Sequence, residues 1–201
     1  MMLIEALLAA AIFAMGIGGF SLLFIKSWQM NSYTYEMGQS SLAVSQGVNE
    51  LVGYLRKVRQ GDDGAYPVKS ADDNDLVVFS DYDKDGITER LHFYKNGNQI
   101  IMGFRKPSGG LPKTYASGDA GTKIIASNII NNASTPIFYY YNKDYPGDQA
   151  HNPVPTPASV SDIRLVKIFL KININPNRAP DSISSESFVE LRNLNDYDRV
   201  K

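Results

Sequence analysis

Hydrophobic and polar positions divide the chain into an apolar start, an amphipathic continuation and a series of short alternating segments. Residues 6–25 contain no charged side chain, and the first basic residue is Lys26. In a helix that rises about 1.5 Å per residue, this run spans roughly 30 Å, which is the thickness of a bilayer core. The pattern therefore predicts a helix of membrane length over residues 1–25.

The helix is predicted to continue past Lys26 to about residue 60, because this stretch lacks proline and repeats apolar residues at spacings of three and four. Residues 26–60 are thus expected to form an amphipathic continuation that packs on the rest of the protein. Its apolar positions are Leu42, Val44, Val48, Leu51, Val52, Leu55 and Val58.

Strand patterns dominate the third predicted region, residues 61–201, which we expect to form a β-rich globular head. A short hairpin is predicted at the sequence NGN, residues 96–98, and exposed loops are predicted at residues 107–120 and 145–158. The fold class expected is α+β, with a long N-terminal helical stem packed on an antiparallel sheet. The candidate strands are residues 76–80, 90–96, 99–105, 122–130, 135–142, 162–172 and 187–194.

Composition narrows the possible functions. The formal net charge is −1, which argues against a nucleic-acid-binding protein, since phosphate recognition needs a basic surface. The chain has no cysteine, which excludes disulfides and cysteine-based metal sites. It also lacks a nucleophile elbow and a phosphate-binding glycine loop, and its two histidines, His92 and His151, are expected to lie in different elements. We therefore expect a protein that is not an enzyme.

Glu5 is an acidic residue inside the apolar start, MMLIEALLAAAIFAMG. One interpretation is that its carboxylate only reaches the membrane interface near the helix N-terminus. The other is that it pairs with the terminal ammonium of a neighbouring chain, which would neutralise both charges and set the stagger of a helical assembly. A cleaved signal peptide is the less favoured alternative, because no basic residue precedes the apolar run.

This N-terminal sequence resembles the mature N-terminus of type IV pilin-like proteins, in which a hydrophobic residue at position 1 and Glu at position 5 open a long apolar helix. The resemblance implies that a prepilin peptidase removes a leader and methylates Met1, and that Glu5 and Met1 act in subunit registration and assembly. It also implies partners, namely further copies or other pilin subunits and an inner-membrane assembly machinery. The expected location is the inner membrane before assembly and the extracellular filament afterwards.

The later segments FSDYDKDGITERLHFY, PIFYYYN and VELRNL resemble the head of the larger minor pilins and of the J-type pseudopilin of type II secretion. The first expectation is a structural subunit of an extracellular type IV pilus-like filament. One alternative is a minor pilin at a filament tip or a secretion pseudopilin. Another is a monomeric, membrane-anchored, calcium-binding surface protein.

Three glycines, Gly16, Gly18 and Gly19, interrupt the apolar helix. Each lowers helix stability by about 1 kcal/mol relative to alanine. Two roles remain open for them: close helix–helix packing through small residues, or local unwinding of the stem in an assembled filament.

The stretch DYDKDGITE, residues 81–89, has the most distinctive chemistry of the chain. Alternating carboxylates around a glycine turn suit a hard cation with oxygen ligands, and the spacing predicts Ca²⁺. The sequence departs from an EF-hand, because His92 stands where that loop has its last glutamate. The alternative is a solvated acidic turn without an ion. The predicted ligands are Asp81, Asp83, Asp85, the carbonyl of Ile87, and Glu89.

Overall fold

The computed structural model describes residues 3–177 and 182–195 and confirms the α+β class. A long helix comes first, eight strands follow, and a short helix ends the described part of the chain. The elements are α1 (Leu3–Leu55), β1 (Val68–Ala71), β2 (Asp75–Ser80), β3 (Glu89–Asn96), β4 (Gln99–Arg105), β5 (Gly121–Ala126), β6 (Phe138–Tyr141), β7 (Leu165–Ile172), β8 (Ile183–Glu190) and α2 (Arg192–Asn195).

Helix α1 buries only its last turns. Its buried residues run from Ser40 to Leu55 and include five of the seven predicted apolar positions. Of the other two, Val58 is buried but lies beyond the end of the helix, and Leu42 is 63% exposed. The prediction for Leu42 was wrong because Leu42 precedes Val44 by two residues, which is about 200° around the helix, so it faces away from the packed side. The helix also ends at Leu55 rather than near residue 60. There the backbone turns to join the sheet: Val58 pairs with Ser80, and the Arg59 N–H donates to the Phe79 carbonyl at 2.9 Å.

The strands form two antiparallel sheets, where the sequence predicted one. The first sheet has the order β1-β2-β3-β4-β5, and the second has the order β6-β7-β8. The predicted hairpin at residues 96–98 is confirmed, since Asn96 pairs with Gln99 and the register continues to Arg90 opposite Arg105. Strand β1 was missed because its sequence, Val-Lys-Ser-Ala, contains one β-branched residue and no aromatic residue. Strand β8 stops at Glu190, before the short helix α2.

One hydrophobic core joins α1 to both sheets. It contains Leu51 from the helix, Phe93 from the first sheet and Ile168 from the second, each with no more than 1% of its surface exposed. At Gly47 the helix comes so close that an added Cβ would lie 3.0 Å from the Ala126 Cβ and 3.2 Å from a Leu170 methyl. Glycine at this position therefore allows α1 to lie against residues of both sheets.

Candidate functional site

The first candidate site is the exposed N-terminal part of α1. The helix contains a stretch long and apolar enough to cross a membrane, with a mean hydropathy of 2.2, and none of that stretch is buried against the rest of the protein. Leu3, Phe13 and Phe20 each expose more than two thirds of their surface. Length and composition make this helix a candidate membrane anchor or signal segment.

Glu5 lies in the first turn of this helix and is exposed. Met1, its predicted assembly partner and the predicted methylation site, falls outside the described residues. The helix is continuous through Gly16, Gly18 and Gly19, and nothing lies within 4 Å of a Cβ added at any of the three. The roles of Glu5 and of the three glycines in an assembly remain predictions.

The exposed apolar surface of α1 extends well past the membrane-length run. Trp28 and Tyr35 each expose 66% of their surface, and the exposed apolar series continues to Met37 and Leu42. Leu42 lies about 25 Å along the helix axis from Ile25, at about 1.5 Å per residue. Exposed apolar residues that continue this far past a run of membrane length are typical of a surface that contacts another protein.

The second candidate site is the acidic turn between β2 and β3, residues 81–88, together with Glu89. Gly86 has a φ of 88°, in the left-handed region that glycine adopts without strain. The aspartates organise the turn, since the Gly86 N–H donates to Asp81 Oδ2 at 3.2 Å and the Ile87 N–H donates to Asp85 Oδ1 at 2.8 Å. Local hydrogen bonds from the aspartates therefore account for part of the shape of the turn.

Three of the predicted ligands converge. Asp81, Asp83 and Glu89 place one carboxylate oxygen each within 4.8 Å of one another, so that the three could hold a metal ion. Asp85 lies outside this triad. The N–H of Ile87 donates to Asp85, and the predicted role of its carbonyl as a ligand remains a prediction.

Glu89 is the unusual member of the triad, because it is fully buried at the start of β3. Burial raises the pKa of its carboxyl. Its Oε2 accepts a hydrogen bond from the Tyr82 N–H at 3.3 Å. In the described part of the chain, neither Glu89 Oε1 nor Asp81 Oδ1 has a hydrogen-bond partner, although both are buried. Buried oxygens of this kind normally find a donor or a cation.

Lys106 lies against the acidic turn, which the sequence analysis missed. Its Nζ is 2.9 Å from Asp83 Oδ2 and 3.5 Å from Glu89 Oε1, and it also contacts Asp85. Hydrogen bonds to Asp85 and Asp83 raise the pKa of this ammonium. The predicted hairpin contained a signal for this contact, because its register, extended one pair beyond Arg90 and Arg105, brings Glu89 opposite Lys106.

Arg59 supports the acidic turn from the other side, which the sequence analysis also missed. Its Nη2 donates to the Gly86 carbonyl at 3.0 Å, and its Nε donates to the Thr88 hydroxyl at 2.9 Å. Its Nη1 lies 3.6 Å from Asp81 Oδ2. Arg59 and Lys106 thus bring one guanidinium and one ammonium from other parts of the chain against the four carboxylates.

A separate ionic cluster on β3 surrounds His92. Its Nε2 lies 2.8 Å from Asp75 Oδ2 and its Nδ1 lies 3.1 Å from Asp119 Oδ2. The hydrogen bond to Asp75 is the main cause that raises the pKa of His92, and partial burial opposes it. His151 instead pairs with Asp148, so the two histidines have different partners, as expected from the sequence.

The His92 cluster predicts a pH dependence of stability. Because the pKa of His92 is raised on folding, protonation stabilises the fold fully below the ordinary histidine value of about 6.5. This contribution is lost as the pH rises through the higher folded-state pKa. We expect the urea midpoint of the chain to fall across that range, and His92→Gln to remove the fall. His151→Gln should retain it, and an unchanged pH profile in His92→Gln would contradict the assignment.

The chain matches none of the protein-family models and none of the curated proteins with which it was compared. Its resemblance to type IV pilins therefore remains a prediction from the sequence. A long apolar N-terminal helix packed on antiparallel sheets is compatible with a pilin-like fold.

Proposed function

We propose that this chain is a structural subunit of an extracellular type IV pilus-like filament, assembled through its hydrophobic N-terminal helix. The observation that carries the proposal is the exposed apolar surface of α1, which runs from Leu3 to Leu42. Only the segment from Ser40 to Leu55 buries residues against the sheets. The part of the helix before Ser40 has no residue buried against the sheets.

The length of that surface favours a bundle of helices over a single anchor. A bilayer core shields roughly 30 Å of helix, which the run to Ile25 already fills. Aromatic residues at the membrane interface would account for Trp28. Met37 and Leu42 lie beyond that interface, and burial of their apolar area would contribute about 25 cal/mol per Å² in contact with other helices.

The resemblance to pilins supplies the remaining parts of the proposal. A prepilin peptidase would process the chain at Met1, and an inner-membrane assembly machinery would extract it into the filament. The chain would reside in the inner membrane first and at the cell surface afterwards. Glu5 would fix the register by pairing with the amino terminus of a neighbouring subunit, and the proposed role is structural rather than enzymatic.

Two alternatives share parts of this description. A minor pilin at a filament tip, or a secretion pseudopilin, would use the same stem but would be scarce in fibres sheared from the cell surface. A monomeric, membrane-anchored, calcium-binding protein would make no contacts between stems at all. The contacts of the helix beyond Ile25 therefore separate the monomer from the two assembled forms.

Photo-crosslinking from the middle of the stem tests the proposal. We expect Tyr35→benzoyl-phenylalanine, in cells that express the full chain, to give adducts with the stem of a second copy or of another pilin subunit. Adducts to a second copy in abundant surface fibres support the filament subunit, and adducts to a different subunit support the minor pilin.

The same probe at Leu111, which is 93% exposed in the loop between β4 and β5, reports the background from random collision. Yields at Tyr35 no higher than at Leu111 would contradict assembly through the stem and favour the monomeric anchor.

The acidic turn supports a second proposed property, the binding of Ca²⁺. The converging carboxylates of Asp81, Asp83 and Glu89 favour a hard cation with oxygen ligands. The buried oxygens of Glu89 and Asp81 that lack hydrogen-bond partners strengthen this proposal, because a nearby cation offsets the cost of burying a carboxylate of this kind. Calcium bound here would join β2 to β3 beside the core.

Calorimetric titration of the full chain in detergent tests this property. We expect Ca²⁺ to bind in the weak extracellular range, with a Kd of about 10⁻⁴–10⁻³ M, and Asp83→Asn to abolish the binding heat. Asp144→Asn removes one exposed carboxylate away from the turn and should leave the binding unchanged. Equal heats from the two variants would assign the signal to non-specific binding of the ion.

A further inference from the structure

The acidic turn already contains a cation of its own. The Nζ of Lys106 lies among the carboxylates that the proposed calcium ion would use, 2.9 Å from Asp83 Oδ2 and 3.5 Å from Glu89 Oε1. An ammonium and a divalent ion cannot share these oxygens, because the two cations would repel each other at contact distance. Any metal bound by the triad must therefore displace the lysine.

We propose that Lys106 is a built-in counter-ion that a divalent cation displaces, and that this exchange sets the cation affinity of the acidic turn. The inference rests on the calcium site proposed above, and it names Lys106 as the residue that limits the affinity of that site for the ion. Without an ion, the ammonium neutralises part of the charge of the carboxylates. With an ion, the lysine releases Asp83 and Glu89.

The lysine is an incomplete substitute for a metal ion, which leaves a driving force for exchange. Glu89 is fully buried, and its Oε1 has no hydrogen-bond donor in the described part of the chain. The ammonium stays 3.5 Å away, beyond good hydrogen-bond length. Calcium binds carboxylate oxygens at about 2.3–2.6 Å and accepts six to eight ligands, so it would reach the buried oxygen that the lysine leaves unsatisfied.

The geometry also provides a place for the displaced lysine. Lys106 follows β4 directly, and its side chain is 45% exposed, so the ammonium can move without disturbing the core. Asp85 contacts Lys106 but lies outside the triad of converging carboxylates. A lysine that leaves Asp83 and Glu89 can therefore remain paired with Asp85. This assigns to Asp85 the role of holding the lysine, where the sequence had predicted a ligand.

Titration of the full chain in detergent with CaCl₂ alone tests the exchange. We expect Lys106→Gln to tighten the Kd for Ca²⁺ about tenfold, because the ion no longer has to break the modest contacts of the ammonium with Asp83 and Glu89. Lys106→Met tests the same loss of charge with an apolar side chain of similar length. Lys113→Gln is the matched control, since Lys113 pairs with Asp62 at 2.7 Å outside the triad, and it should leave the Kd unchanged.

The outcomes separate this inference from the calcium site itself. Tighter binding in Lys106→Gln than in the wild type supports the exchange, and so does binding that only the variant shows. If the wild type binds Ca²⁺ and both Lys106 variants bind equally or more weakly, the exchange is overturned and the calcium site stands. Absence of binding in the wild type and in both folded variants overturns both proposals. Thermal unfolding of each variant without Ca²⁺ verifies that it is folded.

Discussion

Glu5→Ala is expected to abolish filaments while the protein still accumulates in the membrane. The physical reason is that the variant loses the charge that would set the register between neighbouring stems but keeps the apolar surface that inserts. A charged side chain at the centre of a bilayer costs about 2.5–3.5 kcal/mol on insertion scales, so its removal near the helix N-terminus can only ease insertion. The measurement compares the chain in surface material sheared from cells with the chain in the membrane fraction.

Asp144→Ala is the control for this experiment. Asp144 is an exposed carboxylate of the head, outside helix α1, and its replacement removes the same charge. We expect this variant to leave filaments in place. Normal filaments from Glu5→Ala would contradict the registration role, and equal losses from both variants would indicate that the total charge of the chain matters rather than the position of Glu5.

The sequence predicted those parts of the fold that a strong local pattern specifies. The periodicity of α1 and the turn at residues 96–98 each reflect a single element, so the residues themselves specify them. The division into two sheets depends on how distant strands pair, which no local pattern encodes. Strand β1 was missed because its four residues, Val-Lys-Ser-Ala, include only one of the β-branched and aromatic side chains typical of strands, whereas β6, of the same length, is Phe-Tyr-Tyr-Tyr.

The candidate site was predicted in part. The acidic residues were found because their spacing is local, but the sequence could not show which carboxylates converge: Asp85 contacts Lys106 instead of joining Asp81, Asp83 and Glu89. Lys106 was assigned no role because it is distant in sequence from the turn. Its contact arises from the register of β3 and β4, which the predicted hairpin at residues 96–98 implied but which was not followed as far as Glu89.

The exposure of Leu42 shows that apolar character alone does not place a residue on the packed face of a helix. Leu42 precedes the buried residue Val44 by two positions, which is about 200° around the helix, and 63% of its surface is exposed. The hydrophobic pattern of a helix includes every apolar residue on it. It does not distinguish residues that pack in the protein's own core from residues that contact another protein. In the proposed filament, Leu42 would be buried by another subunit, which would explain why the pattern includes it.

Leu51→Ala is expected to destabilise the fold by about 2–5 kcal/mol, the range found for buried leucines in well-packed cores. Leu51 is fully buried in the core that joins α1 to both sheets, so its truncation leaves a cavity where the stem meets the head. Leu42→Ala makes the same chemical change on the same helix at an exposed position, and we expect a change within about 0.5 kcal/mol. Urea unfolding of the full chain in detergent, followed by circular dichroism, measures both. Because the two variants differ only in burial, equal losses of stability would show that the stem is not anchored through this core. An assembly defect of Leu42→Ala with normal stability would instead identify Leu42 as a contact between subunits.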